Sequence, residues 1–161
     1  MNARDYNQCV DDHADAVYRF ILKNIRDDDK AKDIVQDSFE KMWMKHAEIN
    51  VAKAKSYLFT TAYHTMIDNT RRDSKQTKFE EAHLNLTGVE NNFSDLKEIL
   101  EEALTHLPEI QRSVILLRDY EGYTYEEIGE ITGLNESQVK VYIFRARMTL
   151  KNYIVKLENV I

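Results

Sequence analysis

The residues best placed to do chemistry are cations at helical spacing near the C-terminal end. Between Asn135 and Lys156 five bases (Lys140, Arg145, Arg147, Lys151 and Lys156) stand against one acid, Glu136, in a chain whose formal net charge is −6. Ser137, Lys140, Val141, Phe144 and Arg145 fall on the helix face opposite Val139, Ile143, Ala146 and Leu150. Lysine and arginine there neutralise phosphates, and residues near the start of such a helix reach base edges. The free N–H groups of the helix N-terminus add an anion site. A core helical hairpin with a solvated basic face shares this spacing.

Other chemistries lack their residues. The histidines, His13, His46, His64, His83 and His106, show no ligand spacing. Glu80 to His83 is a single Glu-x-x-His, whereas a di-metal bundle site takes two, with further carboxylates. Asp33, Asp37 and Glu40 form an acidic face without a supporting histidine. The one cysteine, Cys9, lies near an apolar stripe and reads as a core thiol. The four glycines are scattered and make no phosphate-cradling loop. The expectation is a protein that acts by binding, with no catalytic residues, cofactor, metal or small-molecule substrate.

The elements that position the basic face are helices. Four glycines and one proline among 161 residues are too few for a strand-rich fold. Asp5 to Ile25 carries Tyr6, Val10, Val17, Ile21 and Ile25 at helical spacing. Arg26 to Asp29 interrupts it, and Asp28 or Asp29 is the candidate cap of a second helix reaching about His46. Its apolar face is Ala31, Ile34, Val35, Phe39, Met42 and Trp43, with Phe39 and Trp43 expected inside. After a polar connection from Ala47 to Ala54, a third helix spans Lys55 to about Lys75. Periodicity lapses from Gln76 to Asn92 and resumes at Leu96. Pro108 suits the first position of the next helix, and Gly122 suits a C-terminal cap. Thr124 to Glu127 and Asn135 to Gln138 are capping boxes that open two helices joined by Thr132-Gly133-Leu134. Two capped helices about such a turn form a helix-turn-helix. The expected fold is all-α: two small helical domains with separate cores, 1–75 and 94–161, joined by a linker over 76–93, the second a helix-turn-helix domain.

The detail of the last third narrows this further. Leu107-Pro108, Arg112, Val114 and Leu117 to Gly122 resemble the opening of sigma-factor region 4. Tyr125 to Gly129, Gly133-Leu134, Val139-Lys140 and Phe144 to Arg147 continue it in order. Asp33 to Trp43 resembles region 2.2, and Ser56 to Phe59, Ala62, Asp68 and Arg71-Arg72 resemble regions 2.3 to 2.4. With region 2 foremost and no region 3 between the two, the layout resembles the extracytoplasmic-function (ECF) sigma factors.

The resemblance implies promoter-specific initiation with core RNA polymerase. It places the polymerase clamp against Asp33, Gln36, Asp37, Glu40 and Lys41. It assigns the single-stranded −10 element to Asn50, Lys53, Lys55, Tyr63, His64, Arg71, Arg72 and Lys75, where stacking and charge do the binding. It assigns the duplex −35 element to Glu136, Ser137, Lys140, Val141, Phe144, Arg145 and Lys151, with Arg112, Thr124 and Tyr125 beside the groove. It also implies an anti-sigma partner. Many relatives carry Arg-Asn at Tyr63-His64 and Ser-Arg near Val141-Tyr142, so promoter preference is this chain's own. The competing reading is a helix-turn-helix regulator that needs no polymerase; a helical adaptor and a metal-dependent helical enzyme fit less. No apolar run reaches the ~18–20 residues of a membrane span, and the N-terminus is not signal-like. With one cysteine, the expected location is cytoplasmic, without membrane insertion.

Overall fold

A computed structural model describes residues 1–77 and 96–160, with side chains through residue 73 in the first segment and residue 158 in the second. The linker from residue 78 on, the Glu80 to His83 motif and the Lys75 side chain lie outside the described residues.

Helix α1, Ala3–Ile25, starts at a capping box: Asn2 accepts the Asp5 N–H at 2.8 Å and Asp5 accepts the Asn2 N–H at 3.3 Å. It buries Cys9, Val17, Phe20 and Ile21 and stops where Arg26 turns left-handed, at φ 53°. Helix α2, Asp28–Met44, is capped by Asp27, whose carboxylate accepts the Lys30 N–H at 3.1 Å. The cap is therefore one residue ahead of the expected pair. That shift leaves Asp28 and Asp29 in the first turn, where the helix dipole favours acids. Two 3-10 turns, His46–Glu48 and Val51–Lys53, fill the polar connection, and α3 spans Ala54–Thr77. Helices α1 to α3 close over Phe20, Ile21, Ile34, Met42, Leu58, Phe59 and Met66.

The second segment holds α4 (Leu96–Thr105), α5 (Glu109–Ile115), α6 (Tyr125–Thr132) and α7 (Glu136–Val160). Pro108 is the cap of α5, one place before the expected first position, and its missing N–H costs nothing at either. A π-helical turn, Leu116–Tyr120, extends α5 and ends on Gly122, at φ +76°. Thr124 and Glu127 cap α6 reciprocally at 3.1 Å each way. Asn135 and Gln138 do the same for α7, at 2.8 and 3.0 Å. Between them the chain reverses on Gly133, at φ +81°, and passes so close to Gly129 that a Cβ there meets the Leu134 carbonyl oxygen at 2.8 Å.

The two segments do not keep separate cores. Their buried side chains form one continuous cluster, with α6 packed on α3 and α4 and α5 against α1. Neither unit alone, of three helices and of four, buries enough apolar surface to be more than marginal; packed together they share Phe59 with Tyr123, rings 5.2 Å apart.

Gly129→Ala is expected to lower stability by about 1–3 kcal/mol, because the new methyl must displace backbone in a packed turn. Chemical denaturation followed by circular dichroism measures it; an unchanged midpoint would show that the turn yields freely.

Candidate nucleic-acid interface

Helix α7 has a clean division of labour. Val139, Ile143 and Ala146 are buried, while Glu136, Ser137, Lys140, Val141, Phe144, Arg145 and Lys151 are exposed. Val141 and Phe144 are apolar yet 44% and 66% exposed, so the core does not account for them. Lys140 lies 3.5 Å from Glu136 and 5.6 Å over the Tyr125 ring, on whose region Arg118 also sits, 4.5 Å from the centroid. Arg147 is spent internally: its guanidinium grips both Asp119 oxygens, at 2.6 and 3.2 Å, and ties α7 to the π turn. Thr124 is exposed but its hydroxyl is the cap of α6.

The candidate −10 residues separate into three kinds. His64, Arg71, Arg72 and Lys53 are exposed. Asn50 is exposed, though its carbonyl oxygen accepts the Ala52 N–H at 3.1 Å and shapes the second 3-10 turn. Tyr63 is only 6% exposed, a correction to its expected place on the surface: burial, then the Glu109 carboxylate, pushes its phenol above the ordinary range. Lys55 is half-buried, its ammonium 5.1 Å over the Tyr123 ring.

Arg112 also departs from expectation. Its guanidinium donates to the carbonyls of Asn24 (2.6 Å), Leu107 (2.8 Å) and Leu104 (3.0 Å), which commits three of its five N–H groups within the fold. Beside it the Ser113 hydroxyl donates to the Asn24 side-chain oxygen at 3.1 Å, and Asn24 donates back to Phe20. Spacing alone cannot separate an arginine that caps carbonyls from one that reaches DNA.

On α2, Asp33, Gln36, Asp37, Glu40 and Lys41 are exposed. Lys41 is partly tied down, donating to the Thr65 hydroxyl at 2.9 Å. Trp43 was expected inside and is not: it is 43% exposed, stacked flat on His46 at 4.1 Å and edge-on to Tyr6 at 4.9 Å. Met42 takes the inner position, and Trp43 falls in line with Glu40 and Gln36, three and seven residues back. Met44 beside it is 83% exposed. Trp43 was missed because an apolar residue at helical spacing reads as core, and Met44 because it falls outside that spacing.

The sigma-70 region 2 family model matches residues 9–76, and the sigma-70 region 4 model matches residues 97–150. RNA polymerase sigma factor SigV of Bacillus subtilis is 31% identical over 151 residues, 92% of this chain and 90% of the relative. The chain is an ECF sigma factor. ECF sigma factor SigM of the same organism is 27% identical over 140 residues, 84% of this chain and 86% of the relative. The fold is shared with the sigma factor RpoE of Bartonella quintana, solved with its anti-sigma factor NepR. That match has a TM-score of 0.80 at 24% identity, covering 94% of this chain and 98% of that one. It is shared too with CnrH, solved with the cytosolic domain of CnrY, at a TM-score of 0.70 and 20% identity over 96% and 90% of the two chains. As a sigma factor, the protein directs RNA polymerase to promoters, with region 2 in α1 to α3 and region 4 in α4 to α7. Among the described residues of the sigma factor, no helix is long and apolar enough to cross a membrane.

Arg112→Ala in the sigma factor is expected to cost about 2–4 kcal/mol, since it strips a charge-assisted donor from partly buried carbonyls at two helix ends. Arg112→Lys should recover only part, a single ammonium replacing a planar fork. Equal stability of the alanine variant and the wild type in urea titration would overturn the capping role.

Proposed function

We propose that the exposed stripe on α2 is the polymerase-binding face, that the loop and outer side of α3 take the single-stranded −10 element, and that the exposed face of α7 reads the −35 element. One observation carries the reading. Three helices present solvent-facing rows that the core does not explain, and each row has the chemistry its target needs. On α2 the polar row Asp33, Gln36, Asp37 and Glu40 ends in Trp43 and Met44, an aromatic anchor beside an adaptable thioether. On α3 the bases Arg71 and Arg72 accompany His64. On α7 Lys140 and Arg145 flank Val141 and Phe144, which suit thymine methyl groups.

The functional division follows the notional domains 1–75 and 94–161 with the linker between. The protein acts by binding and leaves phosphodiester chemistry to the polymerase, so it is not itself an enzyme. It works in the cytoplasm, where polymerase and promoter are, and an anti-sigma factor is its expected regulator; RpoE was solved in complex with one.

Reconstituted transcription with core polymerase on a genomic promoter library tests the whole reading. Initiation that does not depend on the protein would sink it, and nanomolar sequence-specific binding by the free chain would favour a polymerase-independent regulator. Trp43→Ala is expected to weaken core binding about tenfold or more while changing stability by well under the ~3–5 kcal/mol of a buried tryptophan. Retained affinity in a pull-down, or a large stability loss, would return Trp43 to a structural role.

For region 4, Lys140→Ala is expected to change preference at one −35 position, worth about 1–3 kcal/mol there. Arg145→Ala should lower all promoters alike and reduce the salt slope by roughly 0.9. Identical preference profiles for wild type and Lys140→Ala would move Lys140 among the phosphate contacts; circular dichroism must show both variants folded.

A further inference from the structure

A lysine reads a base poorly unless something aims it. Its ammonium is a compact charge on a flexible four-carbon stem, and that stem must be frozen for each contact made. Lys140 is exposed in the second turn of α7, near enough to the helix start for base edges. Two groups already hold it. The Glu136 carboxylate, one turn back, lies 3.5 Å from the Lys140 Nζ, with the acid N-terminal to the base, the better order for such a pair. The Tyr125 ring on α6 lies under the same ammonium, 5.6 Å from Nζ to the ring centroid.

The two holders differ in kind. Glu136 shares a helix with Lys140 and fixes it only relative to α7. Tyr125 belongs to the other helix of the helix-turn-helix, and its own place is set. It follows the Thr124 cap at the start of α6 and packs half-buried against the core. The Arg118 guanidinium lies over its ring, 4.5 Å from the centroid, and is itself held by donating to the Tyr123 carbonyl at 2.9 Å. Arg147 does not compete for the ring, since its guanidinium grips both Asp119 oxygens. An aromatic face carries negative potential and draws cations onto it. The Tyr125 ring thus has a task inside the helix-turn-helix that needs no phosphate.

We propose, with α7 read as the −35 helix, that Tyr125 is a positioning residue for promoter recognition: its ring aims the Lys140 ammonium at a base edge, and its hydroxyl is not a phosphate contact. Glu136 alone leaves the lysine free to swing about α7. The ring restricts it to the side facing α6, so less stem freedom is lost when DNA arrives. Removing the ring face therefore weakens discrimination at the one position Lys140 reads and leaves the rest of the element alone.

Transcription by reconstituted holoenzyme from promoters randomised in the −35 element measures discrimination position by position. Lys140→Ala alone tests the base reading on which this role depends and identifies the position. Tyr125→Leu keeps apolar bulk without the aromatic face. Discrimination at that position is expected to fall about two- to fivefold, the size of an exposed cation–π contact, with other positions unchanged. Adding Tyr125→Leu to Lys140→Ala should change nothing further. Tyr125→Phe keeps the face, loses the hydroxyl and should match the wild type. A uniform loss on all promoters with Tyr125→Phe would make the hydroxyl a phosphate contact and overturn the role. An unaltered profile with Tyr125→Leu, or a further loss in the double variant, would overturn it too. Nuclear magnetic resonance of the full wild-type chain without DNA needs no substitution and no correction for folding. The ring current is expected to move the Lys140 ε-methylene upfield of those of Lys151 and Lys156, exposed on the same helix. Coincident resonances would overturn the contact whatever the promoters show. A Lys140→Ala profile identical to wild type, with the upfield shift present, would sink the base reading of α7 and this role with it. An altered Lys140→Ala profile beside an unaltered Tyr125→Leu profile would sink the role alone.

Discussion

Every helix that ends inside a packed protein leaves carbonyl groups that need donors. Here the C-terminal ends of α1 and α4 come within reach of one guanidinium, that of Arg112, which bonds Asn24, Leu104 and Leu107 at once. The placement of α5 against α1 follows from it, and so does the burial of Ser113 against Asn24. Because α5 runs straight into the π turn, the same anchor sets where Glu121 meets Arg19 and where Tyr123 meets α3. A planar fork with five donors suits this junction better than an ammonium does.

What faces away from that junction is what remains for partners. The outer row of α2 and the outer row of α7 stay in solvent, whereas α3 is divided, with His64, Arg71 and Arg72 outside and Tyr63 inside. The molecule thus presents the exposed rows of α2 and α7 together, while part of α3 is covered by α6. Rows on α2 and α7 lie along single helices, so their geometry is independent of how the two regions sit. The Phe59 and Tyr123 contact belongs to the packing of one region on the other.

Much of this was legible in the residues because the signals were local. Capping boxes at Thr124 and Asn135 marked two helix starts to the residue, and the alternation of Val139, Ile143 and Ala146 with Lys140, Val141 and Phe144 separated core from surface along α7. The misreadings had a different origin. Trp43 has the spacing of a core residue, but Met42 already fills the inner position, and a helix face cannot bury both. Tyr63 and Arg112 were expected at the surface because their types suit DNA. Their burial and their three carbonyl partners depend on helices far away in the chain, as the Asn24 to Arg112 bond shows. The single shared core was not legible either, since amphipathic stripes show that a face is apolar without saying which other stripe covers it.

Arg26 holds two requirements in opposition. It closes α1 in the left-handed conformation, at φ 53°, where any residue with a Cβ is strained and glycine is at ease. The same side chain reaches Glu102 on the other region. Glycine would relax the helix end and abolish the reach; arginine keeps the reach and carries the strain. At this one position, what is best for a region folding alone differs from what is best for the pair. Arg26 thus trades ease at the end of one helix for a tether that spans the two regions.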